Sequence, residues 1–270
     1  MKRTFYNLIF IISFTLKLIL SNNLNVQTNN GILRIDPPNW WVGMQNNEIS
    51  LVIKGTNIAS YTSATVIPEG ITVADVTRAE SNDYIFLDIL ISDNAQPNMY
   101  TFTLVNGNKT MNFKYELKKR NIDPNKLNGI NSSDLIYLIM PDRFANGNLK
   151  NDALANFNEN KIQKDSILGR HGGDLTGIAN HLNYISDLGA ATLWLNPVQE
   201  NNQPKESYHG YAITDHYKVD ARIGTLDDYK NLVESCHQKN MKIVMDMVFN
   251  HPGNEHYLFK KTKLRMVSSF

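Results

Sequence analysis

The pattern of hydrophobic and polar positions changes near residue 120 of this chain. Before that point, short apolar runs rich in β-branched and aromatic residues are separated by turn residues. The runs are 31–38, 48–55, 63–68, 84–91, 100–105 and 110–117. In the run that starts at Tyr100 every second residue is apolar, and Asn106-Gly107 between the last two runs is a strong hairpin signal. Regularly spaced short strands predict an immunoglobulin-like β-sandwich over residues 22–120.

After a polar connector at 121–132, the apolar runs become continuous and are typical of buried strands. These strands are expected at 134–140, 191–196 and 242–248, separated by helical spacing at 174–189 and from Thr225 to about Lys239. Thr225 and Asp228 have the spacing of a capping box, which marks the start of the second helical stretch. Strands that alternate with helices predict parallel β/α units. We interpret residues 133–270 as the first three units of an incomplete (β/α)8 TIM barrel, since a whole barrel takes about 250 residues.

Composition and the N-terminal residues limit the compartment and the partners. A basic Met1-Lys-Arg precedes a mostly apolar stretch that ends near Leu20, which predicts a signal peptide at 1–21 and an exported protein, periplasmic or extracellular. An uncleaved anchor is the alternative, although Lys17 interrupts the apolar run. The net charge of +1 gives no basic surface for nucleic acid, so no nucleic-acid partner is expected. The single cysteine, Cys236, excludes an internal disulfide and a lipid anchor near the cleavage point.

Four motifs carry a family resemblance. They begin at Ile139 (Ile-Met-Pro-Asp-Arg-Phe), Gly172 (Gly-Gly-Asp-Leu-Thr-Gly), Tyr208 (Tyr-His-Gly-Tyr) and Asp246 (Asp-Met-Val-Phe-Asn-His). In this order they resemble consecutive blocks of the α-amylase family of glycoside hydrolases. The front domain, with Pro38-Asn-Trp-Trp-Val-Gly-Met, resembles that of the neopullulanase and cyclomaltodextrinase branch. The resemblance implies a retaining hydrolase of α-glucan oligosaccharides from starch, maltodextrin, pullulan or cyclodextrin. It also implies a homodimer through the front domain, as in part of that branch.

The loop that starts at Asn146 concentrates oxygen-bearing side chains around a glycine turn. From the residues alone it is either an ordinary polar loop or a site for a hard cation such as Ca²⁺. The resemblance favours a structural Ca²⁺, and it implies a particular set of ligands. These are Asn146, Asn148, Asn151, Asp152, the carbonyl of Gly172, and Asp174. In some family members the counterpart of Asn250 helps to hold a second cation.

The resemblance also assigns a sugar site at the carboxyl ends of the strands. Tyr211 matches the residue that stacks on the sugar ring at the cleavage point, and His251 matches a histidine that hydrogen-bonds a hydroxyl of that ring. His209 offers further hydrogen bonds in the same loop. Asp246 is expected to support the active site by bracing an arginine of a later strand, and it is not expected to act as acid or base.

The catalytic carboxylates of the family have no counterpart in this chain. Retaining glycosidases need two carboxyl groups about 5–5.5 Å apart, and neither Glu200 nor Glu255 stands in a matching motif. We therefore expect no activity from the chain alone. A frameshifted or truncated gene and a naturally short chain both remain open. The alternatives to an enzyme are a carbohydrate-binding or docking module, with one of Trp40 and Trp41 facing outward, and a non-functional remnant.

Overall fold

The computed structural model describes residues 31–120 and 129–260, which form two compact units divided after Arg120. The predicted signal peptide at 1–21 and residues 121–128 of the connector lie outside the described residues. The boundaries proposed from the sequence stay predictions. In the described ranges no helix is long and apolar enough to cross a membrane.

The first unit consists of two four-stranded sheets that share one core. The first sheet has the order β1 (Ile32–Asp36), β3 (Glu48–Gly55), β6 (Tyr84–Ile91), β5 (Ile71–Arg78). The second sheet has the order β2 (Asn39–Trp41), β8 (Lys109–Lys118), β7 (Asn98–Asn106), β4 (Ser63–Ile67). Neighbouring strands are antiparallel except β2 and β8, which are parallel. Leu51 and Leu87 of one sheet and Phe102 of the other are completely buried in the same cluster. The predicted β-sandwich is confirmed.

The second unit is built around a three-stranded parallel sheet. Its order is β13 (Lys242–Met245), β10 (Thr192–Leu195), β9 (Ile136–Ile139). The helices are α1 (Pro141–Phe144), α2 (Leu175–Asn180), α3 (Leu182–Asp187), α4 (Leu226–Gln238) and α5 (Tyr257–Lys260). A small antiparallel pair, β11 (Gln199–Glu200) and β12 (Asp215–Val219), lies in the segment between β10 and α4. The parallel order with intervening helices is consistent with part of a TIM barrel.

Two expectations about these elements need correction. The helical stretch 174–189 is two helices, because the backbone at His181 (φ −108°, ψ 12°) leaves the helical range and its Nδ1 contacts the carbonyl of Gly177 at 2.7 Å. The last strand ends at Met245, so Val248 lies beyond it. The start of α4 is as predicted, since Thr225 and Asp228 form a reciprocal capping box.

One face of the parallel sheet is packed and the other is open. Leu193 on the packed face is buried in a cluster with residues of α2 and α4, and Cys236 of α4 is buried there too. Burial raises the pKa of the Cys236 thiol to about 11, as expected for an apolar packing residue. On the opposite face Leu138 and Trp194 are paired in register and are 54% and 40% exposed. These exposed side chains lie on the face of the sheet that is not packed against α2 and α4.

Candidate active site

The carboxyl ends of the three parallel strands bring the predicted sugar-binding residues together. Asp246 directly follows β13, and its Oδ2 accepts hydrogen bonds from the hydroxyl of Tyr211 (2.9 Å) and from Nε1 of Trp194 (3.2 Å). Nε2 of His251 contacts the carbonyl oxygen of Tyr211 at 3.1 Å. Nδ1 of His209 accepts from the backbone N–H of Tyr211 at 2.9 Å. These five residues therefore form one connected group at the strand ends.

The chemistry of this group is that of a polar aromatic platform. The rings of His209 and Tyr211 stack with centroids 6.0 Å apart, and Tyr211 is 37% exposed. Burial lowers the pKa of His209, partly offset by the charges of Glu206 and Glu159. A neutral imidazole agrees with its Nδ1 acting as an acceptor. Burial, followed by the hydrogen bond and charge of Asp246, raises the pKa of Tyr211, so its hydroxyl stays protonated at neutral pH.

The loop that carries Tyr211 is anchored by a buried arginine, Arg222, that was not predicted from the sequence. The side chain of Arg222 donates to Oγ of Ser207 (2.9 Å), to the carbonyl of Asn201 (2.7 Å) and to both carboxylate oxygens of Asp220 (2.9 and 2.7 Å). Oε2 of Glu159 accepts from the N–H and the hydroxyl of Ser207. Ser207 begins the 3-10 helix Ser207–His209, so these bonds fix the start of the loop.

Burial alone would raise the pKa of Asp220, but the hydrogen bonds and charge of Arg222, with N–H groups of Asn201 and Arg222, lower it below its usual range. The pair is therefore ionised inside the unit. The hydrophobic pattern of the sequence does not predict that Arg222 is buried. Arg222 follows a strand, in a segment that has neither helical nor alternating periodicity.

Trp194 is a second residue that the sequence reasoning missed. Its position on β10 places the indole on the open face, where Nε1 reaches Asp246. Side chains alternate between the two faces of a strand, so the face on which Trp194 lies could have been predicted once one face of the sheet was assigned. Trp194 is in register with Leu138 and Val244 on the neighbouring strands.

The contacts among the six residues assigned to calcium form two groups, one around Asp152 and one around Asn148 and Asp174. Nδ2 of Asn146 donates to Oδ1 of Asp152 at 2.7 Å, and a Cβ built on Gly172 would lie 2.8 Å from the same oxygen. The N–H of Asn148 donates to Oδ2 of Asp174 at 2.8 Å. The N–H of Asn151 donates to the carbonyl of Asn148 at 3.3 Å. Asp174 also caps α2, since its Oδ1 accepts from the N–H of Gly177 at 2.6 Å.

Two buried oxygens test whether these residues fit a cation. Oδ1 of Asn146 and Oδ1 of Asn151 are buried without a hydrogen-bond partner. Unpaired buried carbonyl oxygens are costly, and they are ligands that Ca²⁺ prefers. In the described part of the chain no group of three or more His, Cys, Asp or Glu side chains is arranged for a metal. The residues present fit a calcium ion. Asn250 contacts only His251 in the described hydrogen bonds, at 3.5 Å.

Comparison with known proteins gives matches for both units. Residues 138–268 match the family model for the α-amylase catalytic domain, and residues 34–121 match that for the cyclomaltodextrinase N-terminal domain.

Three curated relatives are similar over about half of this chain. Beta/alpha-amylase of Paenibacillus polymyxa is 40% identical over 49% of this chain and 11% of its own length. Neopullulanase 2 of Thermoactinomyces vulgaris is 33% identical over 47% of this chain and 21% of its own length. Cyclomaltodextrinase of Thermoanaerobacter pseudethanolicus is 35% identical over 48% of this chain and 21% of its own length. The chain thus spans between 11% and 21% of the length of these relatives.

Among solved structures, an Anoxybacillus α-amylase is 44% identical with a TM-score of 0.42, covering 46% of this chain and 26% of that one. A cyclic α-maltosyl-(1→6)-maltose hydrolase of Arthrobacter globiformis, solved in complex with cyclic α-maltosyl-(1→6)-maltose, is 35% identical with a TM-score of 0.41. The match covers 47% of this chain and 27% of that one.

Proposed function

This chain belongs to the α-amylase family of glycoside hydrolases, in the branch of neopullulanases and cyclomaltodextrinases, and on that premise we propose that it is the N-terminal part of an exported, retaining α-glucan hydrolase. It binds α-glucan oligosaccharides at the strand ends and does not cleave them by itself. The observation that carries the proposal is the convergence of Tyr211, His251 and Asp246 at one edge of the parallel sheet.

The geometry supports binding through an aromatic face and a surrounding set of polar groups. The exposed ring of Tyr211 offers an apolar surface to one side of a sugar ring. Its hydroxyl is oriented by Asp246, and its backbone is tied to both His209 and His251. The aromatic group is thereby preorganised, which reduces the entropy lost when a ligand binds.

The carboxylates around this edge support binding without cleavage. A retaining mechanism needs a nucleophile and an acid/base about 5–5.5 Å apart. The carboxylate of Asp246 is occupied by Tyr211 and Trp194. Glu200 accepts from the hydroxyl of Thr214 at 3.0 Å, and Glu255 pairs with Lys260. Each of these acidic groups has a local partner that gives it a structural role.

Titration of maltoheptaose and acarbose into the full chain tests sugar binding at the strand ends directly. Removing the ring in Tyr211→Ala is expected to weaken binding at least about tenfold, or about 1.4 kcal/mol, because the stacking surface is lost. Isothermal titration calorimetry measures the change. Tyr184→Ala is the matched control, since Tyr184 is a 55% exposed tyrosine of α3 and its loss should leave affinity unchanged.

Two results would count against the proposal. Equal affinities of the parent chain and Tyr211→Ala would remove Tyr211 from the sugar site. Release of reducing sugar from pullulan or maltodextrin by the purified chain would show that it does not need further catalytic carboxylates.

We also propose that the chain holds one structural Ca²⁺ through Asn146, Asn148, Asn151, Asp152, the Gly172 carbonyl and Asp174. When bound, the ion would satisfy the two buried amide oxygens and tie the loop to the start of α2. Bound by Asp152 and Asp174, such an ion would have its charge balanced by their two carboxylates, and its role would be structural.

Calcium at 100 times its dissociation constant should stabilise the folded chain by about 2.7 kcal/mol, measured as a chelator-reversible rise in thermal midpoint. Asp152→Asn removes one of two charged ligands and should abolish most of that rise. Asp165→Asn changes an exposed aspartate in the same long loop and should keep it. A calcium response in Asp152→Asn as large as in the parent would exclude this ligand set.

Export and homodimerisation through the front domain are further proposals. The first is based on the apolar segment within residues 1–21 and the second on the branch to which the chain belongs. Fractionation of expressing cells tests export, and a product found only in the cytoplasm would exclude it. Sedimentation of the purified chain tests dimerisation, and a strictly monomeric product would exclude it.

A further inference from the structure

A small polar cavity lies inside the second unit, next to the start of the loop that carries Tyr211. Its volume is about 20 Å³. The wall combines residues that follow β9 and β10, the beginning of the Tyr211 loop, the turn before α4, and the side chain of Arg170. None of the six residues assigned to calcium lines it, and neither do Tyr211, Asp246 and His251. The cavity is therefore distinct from both sites proposed above.

Three side chains of this wall each have a buried polar atom without a hydrogen-bond partner. These atoms are Nη2 of Arg170, Oε1 of Gln199 and Oδ1 of Asn201. The three residues are 2%, 5% and 1% exposed. Leaving a buried donor or acceptor unpaired costs free energy. Because nearly all such groups in folded proteins are paired, three of them around one cavity indicate a ligand that binds there.

The other polar atoms of the same side chains are already engaged, which fixes their orientation. Nδ2 of Asn201 donates to the carbonyl of Ser207 at 3.0 Å. Nε2 of Gln199 lies 2.7 Å from Sδ of Met247, a weak acceptor. Nη1 of Arg170 donates to the carbonyl of Asp152 at 2.7 Å. What these side chains leave for a ligand is thus the donor group of one guanidinium and two amide oxygens that accept.

The size and charge of the cavity select the ligand. The carboxylates of Asp142 and Asp220 and the guanidinium groups of Arg170 and Arg222 balance one another in its wall. An anion would meet the two amide oxygens, and a cation would meet Arg170. A neutral molecule that both accepts and donates pairs with all three atoms, which is what water does. A water molecule needs at least about 10–15 Å³ of such volume, so the cavity has room for one.

We propose that this cavity is a site for one ordered water molecule, which accepts from Nη2 of Arg170 and donates to Oε1 of Gln199 and Oδ1 of Asn201. The water completes a hydrogen-bonded connection from the carbonyl of Asp152, through Arg170 and Asn201, to the carbonyl of Ser207. It thereby joins the loop of the proposed calcium ligands to the start of the sugar-binding loop. The proposal itself does not depend on binding of either ligand.

A crystal structure of the full chain, grown with sodium bromide, tests the site and identifies its ligand. The expected result is a single peak within hydrogen-bond distance of Nη2 of Arg170 and of both amide oxygens, without anomalous signal from bromine. An anomalous peak would show that the site takes an anion, which overturns the proposal. An empty cavity, or side chains that turn to pair with one another, overturns it too.

Relaxation dispersion of water ¹⁷O counts long-lived internal water molecules in solution. Gln199→Met keeps an unbranched side chain and removes the acceptor, so the count should fall by about one relative to the parent chain. Gln199→Glu retains an acceptor oxygen and should keep the count. Gln238→Met is the control, because Gln238 is an exposed glutamine of α4.

An equal count in the parent chain and in folded Gln199→Met would contradict the proposal. If Gln199→Met does not fold, the crystal structure of the parent chain decides alone, since it needs no substitution.

Discussion

Arg222→Met should destabilise the second unit by about 3–5 kcal/mol, the cost of breaking a buried ion pair by removing one partner. Arg222 is 2% exposed and donates to both carboxylate oxygens of Asp220, which is 4% exposed. Methionine fills similar space but has no donor, so the carboxylate is left buried without its cation. The carbonyl of Asn201 and the hydroxyl of Ser207 lose their donors in the same step.

Urea unfolding of the full chain, followed by far-UV circular dichroism, measures this loss. Lys230→Met is the matched control, because Lys230 pairs with Asp227 at 3.1 Å where both side chains are more than half exposed. Exposed pairs of this kind contribute about 0–1 kcal/mol. Combining Arg222→Met with Asp220→Asn should recover part of the stability, since the uncompensated charge is removed. A loss no larger than that of Lys230→Met would contradict the role given to Arg222.

The sandwich was predictable where strands alternate without interruption. The hairpin at Asn106-Gly107 is present, with Gly107 at φ 57° and Asn106 paired with Lys109. Strand β5 was missed because its register shifts between Val73 and Asp75, so apolar side chains no longer fall on every second position. Strand β2 was missed because it follows two prolines. The chain passes there from the first sheet to the second, a change of partner that no local pattern encodes.

The strand ends and the motifs predicted which residues of the candidate site would lie close together. Side chains that follow parallel strands meet at one edge of the sheet, which explains why Asp246 and the Tyr211 loop come together. The contacts between them were not predictable. Whether Asp246 meets Trp194 or another donor depends on the exact register of β10 and β13, and the partners of Arg222 come from segments up to 63 residues away.

Gly210→Ala is expected to cost at least about 2 kcal/mol and to weaken binding of maltoheptaose, because two penalties combine at this position. Gly210 lies between His209 and Tyr211 with φ 85°, where residues with a Cβ are strained. In addition, a Cβ there would lie 2.4 Å from the carbonyl oxygen of Pro197, a backbone atom that cannot move aside easily. Relief of this contact must shift the loop, and with it both side chains of the sugar site.

Gly189→Ala separates these two penalties. Gly189 has φ 83°, nearly the same backbone strain, but a Cβ there meets nothing within 4 Å. It should therefore cost only the left-handed penalty of about 1–2 kcal/mol and leave the affinity for maltoheptaose unchanged. Unfolding and calorimetric titration of both variants measure the difference. If the two variants lose equal stability and bind equally well, the approach of Gly210 to Pro197 does not position the Tyr211 loop. If Gly210→Ala alone loses affinity, the loop geometry itself is part of the binding site, because neither substitution removes a polar group from it.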